Sequence, residues 1–442
     1  MDTANQKLRV AIVGGGIGGL GLALALARFD TNSSIQVDIY EAAAKLTQVG
    51  AGITFWPRGW DVIKDLGLED DLVAYMSPGQ SLPSSNLPKL PFILKKSDQR
   101  EGVEIPGFPF RGSSITFYRA DIQTVFVKHI PSTTQIHLGK RLVSFTESGQ
   151  GVELHFKDGE TEICNVLVGA DGVHSVIRKG LLAKMYKLDE EEAAMKARPV
   201  WSGTVIYRSM IESDIIRNQD PNHPCLTNPM IYFGKYKHLA TYPISRGKFI
   251  NVGALYTEIE KENTFLEGPA VEASTSDAVS SLFEKWSDEV QCITKNLKNP
   301  SKWAIEVVKP LDKYADNRVF LLGDAAHAMT PNLGIGAGQA LEDGYLLAQV
   351  LNKSLQNGAF DSSKVAEIYN TIRTPFANFA AAASRSQGHR VDFLAPGFED
   401  IEEGDSVPGE RLEALLEEVN KGASWTWNTS IAADVERALD MV

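Results

Sequence analysis

Six glycines fall within eight positions near the start of the chain, and Gly14, Gly16 and Gly19 among them have the spacing GxGxxG. In that spacing the first glycine permits a tight turn and the second lets backbone amides approach a pyrophosphate. The third lets a helix pack closely on a strand, at the helix's positive N-terminus. Glu41 lies 22 residues beyond Gly19, where a carboxylate can accept hydrogen bonds from a ribose. An intact 2′-hydroxyl suits that position and a 2′-phosphate would be repelled, so the cradle fits FAD or NAD, and the motif alone does not separate them.

Two later segments carry related chemistry. Gly169-Ala170-Asp171-Gly172 opens a turn that runs on to Ser175 and Arg178, residues placed to meet phosphate or carboxylate, although most Asp-Gly pairs are only turns. Gly323-Asp324-Ala325-Ala326-His327 leads into Gly334-Ile335-Gly336-Ala337-Gly338 and a helix. A carboxylate at a strand end followed by exposed amides can bind a polyol and then a ring.

The elements that hold these residues follow from periodicity. Leu8 to Val13 reads as a strand, Ile17 to Phe29 as a Leu/Ala helix and Ile35 to Tyr40 as a second strand, together a βαβ unit. Val152 to Phe156 and Thr161 to Val168 read as a hairpin about Asp158-Gly159. Strand-like runs dominate from about Ala197 to Lys309, with an amphipathic helix expected over Val279 to Leu297. Helices follow at about Gln339 to Leu355, at Lys364 to about Leu394 with Pro375 expected to kink it, and near Glu410 to Asn420. The expected fold class is α/β: a Rossmann-like nucleotide-binding domain, an inserted mainly β-sheet domain and a helical C-terminal segment. The boundaries read as 1–77, 110–196 and 310–395 for the nucleotide-binding domain, 78–109 for a loop and strand segment reaching the second domain, 197–309 for that domain, and 396–442 for a tail.

Composition narrows the function classes. The chain has 442 residues, 43% of them hydrophobic, enough for two cores. A formal charge of −12 argues against a nucleic-acid partner, which needs a basic footprint. Three scattered cysteines fit neither a disulfide framework nor a metal site, so no metal is expected. Val10 to Ala27 is uncharged and could pass for a signal peptide or membrane span, but its glycines would each weaken an isolated helix by ~1 kcal/mol, and a nucleotide-binding turn explains them better. No other run is long enough to span a bilayer, so the expected setting is cytoplasmic, away from membranes.

Taken together, GxGxxG, GADGxxSxxR and GDAAHxxxPxxGxGxxxxxED over roughly residues 8 to 395 resemble the single-component FAD-dependent aromatic hydroxylases, of the salicylate hydroxylase-like group. The resemblance implies that Gly14, Gly16, Gly19 and Glu41 hold the adenosine half of a noncovalent FAD. It implies that Asp324 bonds the ribityl chain, that Gly336 and Ala337 face the flavin ring, and that Arg119 contacts FAD from a helix start. It gives Asp171 a part in supporting both FAD and NAD(P)H, and Gly52, in Gly50-Ala51-Gly52, a place in the loop brushing the cofactor. Trp56-Pro57-Arg58 departs there from the family's Pro-Asn.

The activity implied is hydroxylation of a small phenol or aromatic acid with NAD(P)H and O2 through a C4a-hydroperoxyflavin, NAD(P)H visiting the flavin because only one dinucleotide fingerprint is present. Dearomatising or epoxidising outcomes, or a binding module without turnover, are alternatives. Two strand residues, Arg208 and Tyr242, match the family's substrate-holding Arg and Tyr; His327, His389, Tyr207 and His238 are weaker candidates. Trp425-Thr426-Trp427 resembles a flavin halogenase element but lies at the wrong end of the chain, and aromatic anchoring of the tail is the better reading. A monomer or homodimer is expected.

Overall fold

The computed structural model describes residues 7–46, 52–77, 80–82, 88–89, 92–105, 110–111, 114–358 and 360–442. Gly50 and Ala51 of the cofactor loop, and parts of the 78–109 segment, lie outside the described residues.

One sheet is built from buried apolar runs. Leu8–Val13 sits centrally, with Ile35–Glu41 and then Gln135–Leu138 on one side. Val166–Gly169, Val319–Leu321 and Ala315–Asp316 lie on the other side, and only the last pair is antiparallel. Strands such as VLVG and VFL lack polar alternation because parallel strands are covered on both faces. The crossover helix Ile17–Phe29 packs along the long helix Gly336–Gln356. Close approach depends on glycine: a Cβ at Gly21 would lie 2.3 Å from Leu341, and one at Gly344 would lie 3.0 Å from the Leu22 backbone.

A second sheet of eight strands runs in the order 271–273, 301–307, 200–212, 249–257, 237–244, 230–234, 93–96, 103–105. Its strands alternate, so the two faces have separate fates. Tyr232, Leu239, Val252 and Ala254 turn to a core formed with Val279, Phe283, Val290 and Ile293 of two covering helices. Ile206, Arg208, His238, Ala240, Tyr242, Asn251 and Gly253 turn the other way and line a cavity.

Several elements differ from the sequence reading. The helix expected over Val279 to Leu297 is two, Ser276–Leu282 and Asp288–Lys295, because the Ser287 amide donates to the Ser97 carbonyl and turns the chain. The hairpin's second strand ends at Cys164; Asn165 exchanges bonds with Arg9 and transfers Val166–Gly169 to the parallel sheet. Helix Ser362–Val391 spans the stretch expected for it, with Pro375 in its interior. The tail forms helices Gly409–Ala423, Trp425–Asn428 and Ala432–Asp440, the first of which buries Leu412, Leu415, Leu416 and Val419 against Leu94, Ile105 and Phe233 of the second sheet. Among the described residues no helix is long and apolar enough to cross a membrane.

Candidate active site

The glycine turn has the geometry its spacing requires. Gly14 has φ +116°, and a Cβ there would lie 2.1 Å from the Ala170 carbonyl oxygen. A Cβ on Gly19 would lie 2.0 Å from the Gly14 carbonyl oxygen, whereas one on Gly16 would meet nothing within 4 Å. Gly14 and Gly19 therefore close the strand against the helix, and Gly16 leaves open space at the helix N-terminus where a pyrophosphate fits. Glu41 accepts from the amides of Gly15 and Ala43, each at 2.8 Å, so it braces the turn.

The other motifs sort into liners and supports. A cavity of about 440 Å³ is lined by Gly16, Gly52, Arg119, Asp324, Gly336 and Ala337 on the cofactor side, and by Arg208 and Tyr242 on the sheet side. Asp171 supports rather than lines: it accepts from the Ser175 hydroxyl at 2.5 Å and the Val176 amide at 2.8 Å, and burial pushes its carboxyl up. Its neighbours Ala170 and Gly172 reach the cavity. Ser175 and Arg178 do not face a ligand. Ser175 caps helix Val176–Tyr186, and the buried Arg178 guanidinium donates to the carbonyls of Ala197, Ala325 and Val173. That correction follows from burial, since four of the five guanidinium N–H groups already point at carbonyls in the interior.

The late motif is held by a buried ion network that spacing did not reveal. Arg373 donates to Asp343 at 2.8 Å and Glu342 at 3.0 Å; Arg58 reaches Glu342 at 3.1 Å and Asp434 at 2.5 Å. Asp343 in turn holds the Gly323 amide at 2.9 Å and His327 Nε2 at 2.6 Å. His327 thus fixes the turn that carries Asp324, and Arg58, next to the loop's departure from the family pattern, is a brace. Trp56 lines the cavity, donates to the Leu333 carbonyl at 2.7 Å, and packs at a tilt against Trp427.

On the sheet face, register sets the constellation. Arg208 pairs opposite Gly253, which lies opposite Ala240; Tyr242 lies opposite Asn251. Arg208 sits over the Trp303 ring at 5.2 Å and forms no ion pair among the described residues. Burial lowers its pKa, while Tyr242 and Asp324 act to raise it. Burial pushes the Tyr242 phenol up to about 12, against the pull of Arg208 and the Thr54 hydroxyl. Gly52 lies against Tyr242, and its amide donates to Asn251 at 2.9 Å, so the cofactor loop and the sheet meet directly. Arg119 begins helix Arg119–His129; its buried Nε lacks a partner and burial lowers its pKa, with Asp324 opposing.

His238 belongs to this face more firmly than its sequence context suggested. It lines the cavity four residues before Tyr242, and Nδ1 lies 2.6 Å from Asp392, whose other oxygen accepts from Thr257 at 2.9 Å. Tyr207 faces the opposite side of the strand, and His389 pairs with Glu262 at 3.4 Å. The far wall, missed by the sequence reading, comes from Leu416, Val419, Asn420 and Ala423, spaced i, i+3, i+4, i+7 on one helix. Trp425 packs edge-on against Phe376, as an anchor, while Trp427 lines the cavity. The spacing was a legible signal; the surface it covers was not.

The open space at Gly16, the Arg119 Nε without a partner among the described residues and the Asp324 carboxylate lining the cavity all fit FAD. Known proteins agree: residues 7–384 match the FAD binding domain family. Salicylate hydroxylase of Pseudomonas putida is 32% identical over 99% of this chain and 96% of its own. The 6-methylsalicylate 1-monooxygenase of Aspergillus terreus is 30% identical, over 87% of this chain and 83% of its own. A solved salicylate hydroxylase substrate complex superposes with a TM-score of 0.79 at 28% identity, covering 98% of both chains. A flavin cradle joined to a substrate-facing sheet, shared over nearly the full length, places the chain among the salicylate hydroxylase-like FAD-dependent aromatic monooxygenases.

Proposed function

We propose that the chain uses NAD(P)H and O2 to hydroxylate a small phenolic acid, with Arg208, Tyr242 and His238 holding the ring. The observation that carries this reading is Arg208, a half-buried cation whose charge is desolvated and which has no carboxylate partner among the described residues, on the cavity face that also bears Tyr242 and His238. Burying a charge without a counter-ion is costly, so a substrate carboxylate or phenolate is its natural complement. Tyr242, with its pKa near 12, stays a neutral phenol at neutral pH and donates to the substrate oxygen. With the Nδ1–H of His238 donating to the Asp392 carboxylate, Nε2 is left to accept the phenol's proton, favouring the more nucleophilic phenolate. Bound FAD supplies the redox chemistry, taking electrons from the nicotinamide and activating oxygen. Ile206, Leu255 and Leu333 line the cavity and keep water from the ring.

The test is NAD(P)H oxidation by the purified yellow protein with salicylate and related phenols, matched to oxygen uptake and an identified product. Denaturation should release free flavin. Arg208→Ala should retain FAD and lose ~2 to 5 kcal/mol of substrate interaction, and Tyr242→Phe should lower kcat more than it raises KM. Near-normal coupled hydroxylation in both variants would move the clamp elsewhere.

A further inference from the structure

The cavity wall facing the sheet carries three carboxamides on three separate elements. Asn332 lies in the loop after the GDAAH turn, Gln387 on helix Ser362–Val391, and Asn420 on helix Gly409–Ala423. All three line the cavity. Asn332 Oδ1, Gln387 Oε1 and Asn420 Nδ2 are each cut off from solvent and have no hydrogen-bond partner among the described residues. Several amides elsewhere in the interior are paired, although Gln349 Nε2, away from the cavity, is not. Asn370 accepts from the amides of Tyr314 and Ala315, Gln339 bonds Glu342 and Arg373, and Asn251 holds Gly52.

An enclosed amide without a partner loses its hydration and gains nothing in return, so one is a local defect and three on one wall are a pattern. The three elements are also in close contact. A Cβ on Gly388 would lie 2.1 Å from Asn332 Nδ2, and one on Gly422 would lie 2.7 Å from the Arg390 guanidinium and 3.4 Å from Gln387 Oε1. Gly388 therefore leaves room that Asn332 occupies, and Gly422 leaves room beside Gln387 that Arg390 fills. The neighbouring cation, Arg390, is turned to Glu418 at 3.8 Å and does not line the cavity.

We propose that Asn332, Gln387 and Asn420 form a second polar subsite, which recognises an uncharged hydrogen-bonding substituent on the substrate ring, such as a further hydroxyl. The wall offers donors and acceptors but no charge, and a second ionised group there would be desolvated without a counter-ion. The opposite face already supplies Arg208, so the two walls divide recognition between the ring's acid or phenolate and this neutral substituent. A site built to bond such a group discriminates against the ring that lacks it, because its own polar atoms are then left unpaired.

This proposal rests on the phenolic-acid reading above, and the test separates the two. The FAD-loaded protein is titrated with salicylate, and with the salicylates carrying one extra hydroxyl at each free ring carbon, following the flavin absorbance. At least one hydroxylated ring should bind roughly tenfold more tightly than salicylate. That ratio should collapse toward one in Asn420→Leu and in Gln387→Leu, compared at equal flavin content. If the rings perturb the flavin but none outbinds salicylate, or the preference survives both substitutions, the subsite is wrong and the phenolic-acid reading stands. If no ring perturbs the flavin, the phenolic-acid reading fails and the subsite fails with it.

Discussion

Replacing Gly52 by alanine should disable the substrate clamp without touching any residue that holds the substrate. A Cβ there would lie 2.2 Å from the Tyr242 hydroxyl oxygen and 2.5 Å and 2.6 Å from two ring carbons, about 1 Å short of ordinary contact at about 3.4 Å. Neither side yields freely. The Gly52 amide is held by Asn251, its strand is paired with Ile115–Tyr118, and Tyr242 is only 7% exposed. Overpacking of this kind costs ~1–3 kcal/mol, and a reacting geometry displaced by about 1 Å loses on the order of 10²-fold in rate. Gly52→Ala should therefore keep its flavin, since Gly16 and Glu41 are unaltered, while kcat/KM for the best phenol falls on the order of 10²-fold. The assay is product formation at measured flavin occupancy, repeated in a Tyr242→Ala background where the clash is gone. Wild-type kcat/KM in the single variant, or an undiminished further loss in the Tyr242→Ala background, would refute the coupling.

Glu41→Ala removes the acceptor of two backbone amides and the ribose partner; with charge-assisted bonds worth ~1.5–3 kcal/mol each, FAD affinity should fall at least tenfold in a fluorescence titration. Arg373→Ala leaves two buried carboxylates short of a partner and should cost ~3 kcal/mol in urea unfolding, the low end for a broken buried pair because Arg58 and His327 remain. Burial pushes the Asp343 carboxyl up, but His327 and Arg373 outweigh it and hold it at about 2. Its contribution to stability is thus present above its unfolded pKa of about 3.9 and lost as pH falls through about 2, so the wild-type advantage over Arg373→Ala should narrow across that window. Asp392→Asn should lower kcat on the order of 10²-fold and shift the pH profile with little change in KM, because Asp392 does not line the cavity and reaches it through His238.

The parallel sheet and its glycine turn were legible because every requirement there is local. Strands buried on both faces read as apolar runs, and Gly14 and Gly19 are demanded by atoms at most about 2.1 Å from a would-be Cβ. Asp324, Arg119, Arg208 and Tyr242 could be marked by motif and strand, and the structure lines one cavity with all four. What stayed hidden depends on partners far along the chain. Arg178 looks like an anion ligand until Ala197 and Ala325 enclose it; Glu342 and Asp343 look like a helix's polar face until Arg58 and Arg373 meet them. His238 gains meaning from Asp392, 154 residues later. No periodicity announces a contact of that range.

The far wall, built on one helix stripe at Leu416, Val419, Asn420 and Ala423, also bears on how such a site diversifies. None of those four positions belongs to the glycine turn, the GADG turn or the GDAAH motif, and the helix backbone stays the same whichever side chains it carries. Lineages could therefore exchange one aromatic substrate for another by drift along a single helical stripe while the oxidising machinery is inherited intact. A library randomised at those four positions would sample much of that evolutionary freedom.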